Sequence, residues 1–554
     1  MSGDLVLLPL GGVGEIGMNL YLYGFGRGAR RQWIMVDCGV MFGDETTPGV
    51  ELILPDISFI EQRKDDLLAI VITHAHEDHI GAVPWLAARL GAPVYATRFA
   101  AILLRHKLEE LALDDVVEVR RAVPGEVIEL GPFAVEYVPV THSLPEPNAL
   151  AITTAAGVVV HSGDFKVDET PTIPPSFSFH RLREIGDAGV EALICDSTNA
   201  TRAGRTPSER VVAETLKRLI AAAPGRVAVT TFASHVARIK AVAEAARAAG
   251  REVVVAGWSM RRIIAAASEC GLLDGSLRFL DEDAFGYLEP DKVALLCTGS
   301  QGEPRAALAR IAADTHPRIA LERGDTVIFS SFTIPGNEKA VISIINRLAM
   351  RGVEVITTAR EAGVHASGHP MQEDLAVLYD LLRPARLIPM HGEPWHMMQQ
   401  ATFARQHGIA EVATIHDGRM LRIAPGPAEV VGEAPSGHWH VDGHLIVAGE
   451  GGPVKRRRKL SFVGLVALAV TLDGKGRVRA PLRIALEGVP ELTADGQPME
   501  EVLLDSADDA LDGLSGAHRR DDDLVAERLR RAVRFAAKEH WGKRPVVRVL
   551  VQRL

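Results

Sequence analysis

The sequence predicts an α/β protein of several domains: a metal-binding domain, an α/β insert that interrupts it, and a small C-terminal α+β unit. Three observations carry this. Histidines and aspartates cluster in a short run after an apolar strand, and metal-type residues reappear at His365, His369 and His391 after a long α/β stretch. Between the two groups, apolar strands alternate with helical patterns. A Gly-Pro and Lys-Arg stretch then precedes the last ninety or so residues.

At 554 residues the chain exceeds the usual size of a single core, so two to four domains are expected. A content of 47% hydrophobic and 24% charged residues is that of a folded protein. Cys38, Cys195, Cys270 and Cys297 lie far apart and form no C-x-x-C pair, which argues for a reducing compartment and against a disulfide framework. Leu5-Val6-Leu7-Leu8 is strand-length and ends at Pro9 and Gly11, and no apolar run reaches membrane-span length. A cytoplasmic protein without membrane contact is expected. A formal net charge of −10 excludes a uniformly basic coat, but a local positive channel would suffice for nucleic acid.

In the first two hundred residues, short β-rich runs alternate with Gly/Pro/Asn turns. Strands are expected at Trp33–Asp37, Ala69–Thr73, Val94–Thr97, Ala134–Val140, Val158–His161 and Leu193–Cys195. Near Pro207 the texture changes to helices at Ser208–Ala223 and Val236–Ala249. Strands alternate with them at Val227–Thr231, Val253–Ala256, Val293–Cys297 and Thr326–Ser330, which suggests a parallel sheet covered on both faces. From Gly449 to Lys459 the run Gly-Glu-Gly-Gly-Pro-Val-Lys-Arg-Arg-Arg-Lys reads as a flexible basic linker. Strands Val463–Leu472, Val478–Leu486 and Val546–Val551, with helices Glu500–Asp512 and Leu524–Glu539, complete the C-terminal unit.

The run His74-Ala75-His76-Glu77-Asp78-His79 follows an apolar strand and precedes Ile80-Gly81-Ala82. A tight turn at a strand's end can point three imidazoles and a carboxylate inward, and imidazole with carboxylate suits divalent zinc or manganese. His142, Asp164 and His391 also follow strands. Seven ligands suffice for two ions if one carboxylate bridges them. Such a pair, about 3.5–4 Å apart, supplies a nucleophile near neutral pH and clamps a phosphodiester under attack. Asp37 ends a strand and could orient a ligand histidine.

The pattern H-x-H-x-D-H, with Asp37, His142 and Asp164, resembles the metallo-β-lactamase fold. Asp196-Ser197-Thr198, Ser367-Gly368-His369 and His391-Gly392-Glu393 resemble three further motifs of the β-CASP nucleases. Within that group, Gly11-Gly12-Val13-Gly14-Glu15-Ile16-Gly17, Gly163-Asp164-Phe165-Lys166, Thr231-Phe232-Ala233-Ser234-His235, Thr298-Gly299-Ser300-Gln301-Gly302 and Ile334-Pro335-Gly336-Asn337-Glu338 resemble the bacterial ribonuclease J family. The resemblance implies an αββα sandwich of two facing sheets with helices outside (residues 1–208 and 362–447), a β-CASP insert (209–361), a linker (448–462) and an α+β domain (463–554). It implies one ion held by His74, His76, His142 and Asp164, and another by Asp78, His79, Asp164 and His391. His369 would stabilise developing charge or protonate the leaving 3′ oxygen, and Asp196 would orient an imidazole. Zinc is the first expectation, with manganese or magnesium as alternatives.

A processive exonuclease needs an anion pocket at a fixed distance from its metals. Ser234 and His235, at a strand-to-helix turn, are placed to bind phosphate. In the family, His365-Ala366-Ser367-Gly368 forms the other half. Phe42, in a Gly-rich loop, is a candidate base-stacking platform. Trp258 stands in Gly257-Trp258-Ser259 where the family commonly has arginine, and the 449–459 run is also atypical. The expected activity is 5′-to-3′ removal of nucleotides from single-stranded RNA, preferring a 5′ monophosphate, alongside endonuclease cleavage in RNA maturation and mRNA decay. A homodimer or higher homo-oligomer with RNA-degradation partners is expected by resemblance. The competing classes are a small-molecule metallo-hydrolase of the lactamase type and an inactive RNA-binding scaffold. The first would favour a chromogenic lactam over RNA, and the second would survive loss of Asp78 or His79 unchanged.

Overall fold

The computed structural model describes residues 3–449 and 452–554. Two β-sheets face each other in the first part of the chain. The larger, eight-stranded among the described residues, includes Asp4–Gly11, Leu20–Gly26, Gln32–Val36, Leu67–Val71 and Val94–Ala96. The other, seven-stranded, includes Phe133–Pro139, Asn148–Thr154, Gly157–His161, Ala192–Asp196 and Arg386–Met390. One core joins them, with Tyr23, Ile34 and Val71 packing against Tyr137, Leu150, Ile194 and Ile388. Outside the second sheet, helices Phe179–Ala188, Gln372–Leu382 and Pro394–Gln406 bury Leu182, Leu378 and Ala404. This is the sandwich expected from the sequence.

Parallel pairing places the chemistry. Gln32–Val36 and Leu67–Val71 run side by side with Val36 opposite Val71, so their ends release Asp37 and the His74 loop together. Gly157–His161 pairs in parallel with Ala192–Asp196, which pairs in parallel with Arg386–Met390, Asp196 opposite Met390. The chain therefore leaves the sandwich after Asp196 and returns on the neighbouring strand, which ends at His391. Side-chain-bearing loops at the carboxyl ends of parallel strands converge on one edge.

Between those two strands lies a sheet, six-stranded among the described residues, in which all neighbouring strands are parallel, from Phe279–Leu280 through Glu252–Ala256, Val293–Cys297, Val227–Thr230 and Thr326–Phe329 to Glu354–Ile356. Helices on both faces bury its central strands completely, so they read as unbroken apolar runs rather than alternating ones.

Residues 42–53 and 438–554 form a second compact unit. Its three-stranded sheet, in the order Val478–Glu487, Leu465–Leu472, Val546–Arg553, buries Val466, Leu468 and Val470 against Leu503, Leu529 and Val533 of helices Met499–Asp512 and Asp522–Trp541. The basic run expected as a flexible linker is instead mostly a helix, Gly452–Val463. Lys and Arg are good helix formers, and Pro453 sits in the first turn, where its missing N–H does no harm. Val454 is buried, and Arg457 reaches Asp442 at 2.7 Å. Val463, expected to open a strand, closes this helix, and the strand begins at Leu465 after the left-handed Gly464. Glu450 and Gly451 of that run lie outside the described residues.

One glycine sets the approach of the His74–His79 turn. Gly39 donates to the Asn19 carbonyl at 3.0 Å, and Cys38 donates to the His79 carbonyl at 2.8 Å. A Cβ at Gly39 would lie 1.6 Å from the Asp78 carbonyl oxygen. Gly39→Ala is therefore expected to cost at least ~1–3 kcal/mol and to push Asp78 and His79 out of place. A lowered melting temperature with loss of bound divalent metal would register this; an unchanged melt would contradict it.

Candidate metal centre

The turn predicted from the His-rich run is real but short. His76 caps a single helical turn, Glu77–Ile80, so Asp78 and His79 enter the site from a helix, and His74 and His76 from the extended segment before it. Ligand atoms of His74, His76, His142 and Asp164 all lie within 4.8 Å of one another, as do those of Asp78, His79, Asp164 and His391. Asp164 belongs to both groups. A third group joins Asp164 to Asp196 and His369.

Four of the imidazoles, His74, His79, His142 and His391, are held by their far nitrogen, which fixes the tautomer. His142 Nδ1 lies 2.6 Å from the Gly368 carbonyl, which can only accept, so Nδ1 carries the hydrogen and Nε2 keeps its lone pair. His79 Nδ1 lies 2.7 Å from Asp37 Oδ2 in the same way. Thr73 Oγ1 donates to Asp37 and so accepts from His74 Nδ1 at 2.9 Å. His391 Nδ1 donates to Asn19 Oδ1 at 2.9 Å. Four Nε2 atoms thus point at one space, with His76 Nδ1 3.1–3.2 Å from two of them.

The donors fit divalent cations. Asp164 is 1% exposed, neither of its oxygens accepts a hydrogen bond, and imidazole nitrogens of His79, His391, His74, His369 and His142 surround Oδ2 at 3.2–3.9 Å. Burial, with neighbouring imidazoles, keeps His74 and His142 well below the usual pKa and His76 at about 4, so these three are neutral, as ligation requires. Burial opposes charging His79 too, but Asp164, Asp78 and Asp37 outweigh it and raise it well above 6.5. The carboxylates draw positive charge into the site.

His369 sits beside this cluster. Its Nδ1 lies 2.8 Å from Asp196 Oδ2, and Asn199 donates to its carbonyl at 3.2 Å. Burial works against its charge; Asp196, followed by Asp164 and Asp78, lifts its pKa to about 9. His391 and Asp37 have left-handed backbones, with φ of 49° and 60°, an uncommon conformation that the surrounding bonds must maintain.

Family comparisons agree with this architecture. The metallo-beta-lactamase superfamily matches residues 19–257, the ribonuclease J beta-CASP domain 224–348, the Zn-dependent metallo-hydrolase RNA specificity domain 352–413, and the ribonuclease J C-terminal domain 452–554. Ribonuclease J of Sinorhizobium meliloti is 49% identical over 551 residues, covering 100% of this chain and 98% of its own. The chain belongs to the ribonuclease J family. Its likeness to ribonuclease J of Mycolicibacterium smegmatis is 38% over 553 residues (98% of this chain, 96% of the relative), and to that of Thermus thermophilus 36% over 520 residues, covering 90% of each. A crystal structure of a protein of unknown function from Enterococcus faecalis shares the fold, with TM-score 0.53 at 17% identity over 75% of this chain and 99% of its own. The domain set is that of a metal-dependent, RNA-directed hydrolase, and the His/Asp cluster fits divalent metal binding. Among the described residues no helix is long and apolar enough to cross a membrane.

The remaining ribonuclease J expectations are placed as follows. Ser234 precedes His235, the N-cap of helix Val236–Ala248, and the cap makes no side-chain bond. His235 and His365 are both buried; His235 Nε2 meets the Arg238 guanidinium at 3.2 Å, and His365 Nδ1 donates to the Ser330 carbonyl at 3.3 Å, which Arg238 also reaches. Ala366 is buried, and Ser367 Oγ accepts from Asn199 at 2.8 Å. A Cβ on Gly368 would lie 2.5 Å from the His142 ring. Phe42 is 65% exposed and begins the second compact unit. Trp258 is 66% exposed with the Arg262 guanidinium 4.4 Å over its ring, so a cation one turn along the helix stands at this surface.

Two features escaped the sequence. Asn19 holds His391, donates to the Asp78 carbonyl at 3.1 Å and accepts from Tyr21 at 2.9 Å. Its only signal is a lone polar residue at the mouth of an apolar strand. Arg238, 0% exposed, donates to Glu209, to Ser330 and to the Val364 carbonyl, while Lys166 reaches Glu209 at 3.1 Å. Its signal is an arginine within the apolar run Val236-Ala237-Arg238-Ile239. This cluster ties the sandwich to the insert. Burial alone would raise the Glu209 carboxyl; Arg238, then Lys166 and His235, hold it well below its usual 4.5.

Glu209→Ala leaves two cations buried without their anion and is expected to cost about 3–5 kcal/mol in urea unfolding. Because the folded pKa is depressed, Glu209 stabilises above its ordinary 4.5 and loses that contribution as pH falls below it. The gap between wild type and Glu209→Gln should therefore narrow on acidification from pH 7 to pH 4. A constant gap would disprove the ionic origin.

Proposed function

We propose that this chain hydrolyses single-stranded RNA from the 5′ end, releasing mononucleotides and preferring a 5′ monophosphate, with endonucleolytic cleavage as a second mode. The observation that carries the reading is the double ligand set sharing Asp164, next to a charged His369. Two divalent ions fit it, zinc first and manganese or magnesium as substitutes. When bound, they would lower the pKa of a water and stabilise charge on the phosphoryl group.

The chain's own groups do the rest. Asp37 and Asn19 hold His79 and His391 in register, so the donor set is rigid before substrate arrives. His369, kept protonated by Asp196 at 2.8 Å, donates toward the leaving 3′ oxygen or to the phosphoryl oxygens as charge develops. Ser234, His235 and residues 365–368 receive the 5′ phosphate at the start of helix Val236–Ala248, where the helix dipole favours an anion. Glu209, Lys166 and Arg238 lock the two halves of that pocket to one another. Phe42 is a candidate stacking surface. In this reading the protein works in the cytoplasm as a homo-oligomer, in RNA maturation and mRNA decay alongside other RNA-degrading factors.

RNAs identical except at the 5′ end decide the matter. The monophosphorylated strand should yield mononucleotides at least tenfold faster than the 5′-hydroxyl strand, on an order-of-magnitude scale for a lost charge-assisted contact. Absence of mononucleotides from the monophosphorylated strand would sink the exonuclease reading. Metal analysis supplies a second check. Asp164→Ala should empty both positions, whereas His142→Ala should spare the one built on Asp78, His79 and His391; equal losses in the two variants would argue against a bridging carboxylate.

A further inference from the structure

Helix Gly452–Val463 concentrates positive charge that the fold does not neutralise. Its basic run Lys455–Lys459 stands on a chain whose formal net charge is −10. Packing fixes which way the run points. Val454 is buried, and Arg457, three positions on and so on the same side, is tied to Asp442 at 2.7 Å. Residues three, four and seven positions apart share a helix face, so Lys455, Arg458, Lys459 and Phe462 lie together on the side turned away from that contact. All four are exposed, Phe462 at 69%. Lys543, just beyond helix Asp522–Trp541, joins this face: its Nζ stands 4.3 Å over the Phe462 ring and donates to the Phe462 carbonyl at 3.1 Å. Among the described residues, the pair of Arg457 with Asp442 is the one ion pair the basic run makes. The helix itself gains nothing from the arrangement. Lys455 and Lys459, four positions apart, repel each other, and cations near the start of a helix with no acidic residue in its first turn oppose its dipole.

A polyanion laid along this face would relieve both penalties. The cations extend over about 10 Å of helix, a line rather than a point, which suits successive phosphates of one strand. A helix that lies in a membrane surface needs an apolar flank to bury in lipid, and here Val454 and Val463 are already buried in the protein. We propose that Lys455, Arg458, Lys459 and Lys543 form an accessory track on the second compact unit that grips the backbone phosphates of single-stranded RNA. The track shares no residue with the metal centre. Phosphate contacts carry no sequence information, so it raises affinity for RNA of any sequence. It depends neither on the 5′-phosphate preference nor on the direction of cleavage proposed above.

The test is binding of a long 2′-O-methyl oligouridine, which resists cleavage, to the metal-loaded full chain, followed by fluorescence anisotropy across a range of salt. Lys455→Gln, Arg458→Gln and Lys459→Gln together remove the charge and keep good helix formers. This variant should bind on the order of tenfold more weakly at low salt. Its log K should also fall with log salt less steeply, by about 2, the share of three phosphate contacts on a single strand. Lys543→Gln should give a smaller loss of the same kind. The charge-keeping pair Lys455→Arg and Lys459→Arg should bind like wild type, so a loss in the neutral variant reports charge and not misfolding. Lys475→Gln, Arg528→Gln and Lys538→Gln together change the net charge equally, at exposed cations elsewhere in the same unit, and should alter affinity and slope far less. Equal losses in the two triple variants, or an unchanged slope in the first, would refute the track. If the first variant instead loses only binding to phosphatidylglycerol vesicles while its RNA affinity stays intact, the face serves a lipid surface and the proposal is overturned.

Discussion

A carboxylate that is 1% exposed, accepts no hydrogen bond and is ringed by five imidazoles at 3.2–3.9 Å would be costly to bury for its own sake. Asp164 tolerates that position because cationic charge is drawn to it, and much of the surrounding structure serves to keep the donors aimed there. Asp37, Thr73, Asn19 and the Gly368 carbonyl each take the outward nitrogen of one histidine. These partners come from distant parts of the chain. The left-handed backbones of Asp37 and His391 are strain accepted at the two places where strand ends must turn sharply into the site.

The same constraint explains how an insert of about 150 residues can interrupt the metal domain without disturbing it. Departure after Asp196 and return at Arg386–Met390 use adjacent parallel strands, so the sandwich closes as though the insert were a long loop. A hinge at that point would still let the insert rock, and the Glu209–Arg238–Lys166 cluster opposes this. It joins the start of helix Glu209–Ala222, the end of strand Thr326–Phe329, the Val364 carbonyl and the loop after Asp164. Buried ionic clusters are weak evidence for stability, but a cluster that fits only one arrangement specifies that arrangement. The Ser234–His235 turn and the 365–368 segment are thus held at a set spacing.

Much of this was legible in the sequence because apolar runs of strand length lead into His74, His142, Asp164 and His391, while His76, Asp78 and His79 are marked by the His-rich run itself. Strands such as Val293–Cys297 agree to the residue, since a fully buried parallel strand leaves a plain apolar block. Where the sequence misled, the cause was local composition. Gly-Gly-Pro followed by five basic residues suggests a solvated linker, yet the run is helical and buries Val454 near its start and Val463 at its end, which local composition does not announce. Asn19 and Arg238 were invisible for a different reason. Their partners are up to 372 residues away, and no local pattern announces a contact of that range.

The electrostatics of an acidic protein acting on RNA follow from these placements. Arg238 and Lys166, both buried, are offset by Glu209 and Asp168 and so project little field. Asp37, Asp78, Asp164 and Asp196 crowd the neighbouring site, while His74, His76 and His142 stay neutral. His79 and His369, whose pKa values these carboxylates raise, offset part of that charge. Divalent cations in the cluster would offset the rest and favour a phosphate there. A net charge of −10 is no obstacle to a protein that acts on RNA, because the attraction need only be local.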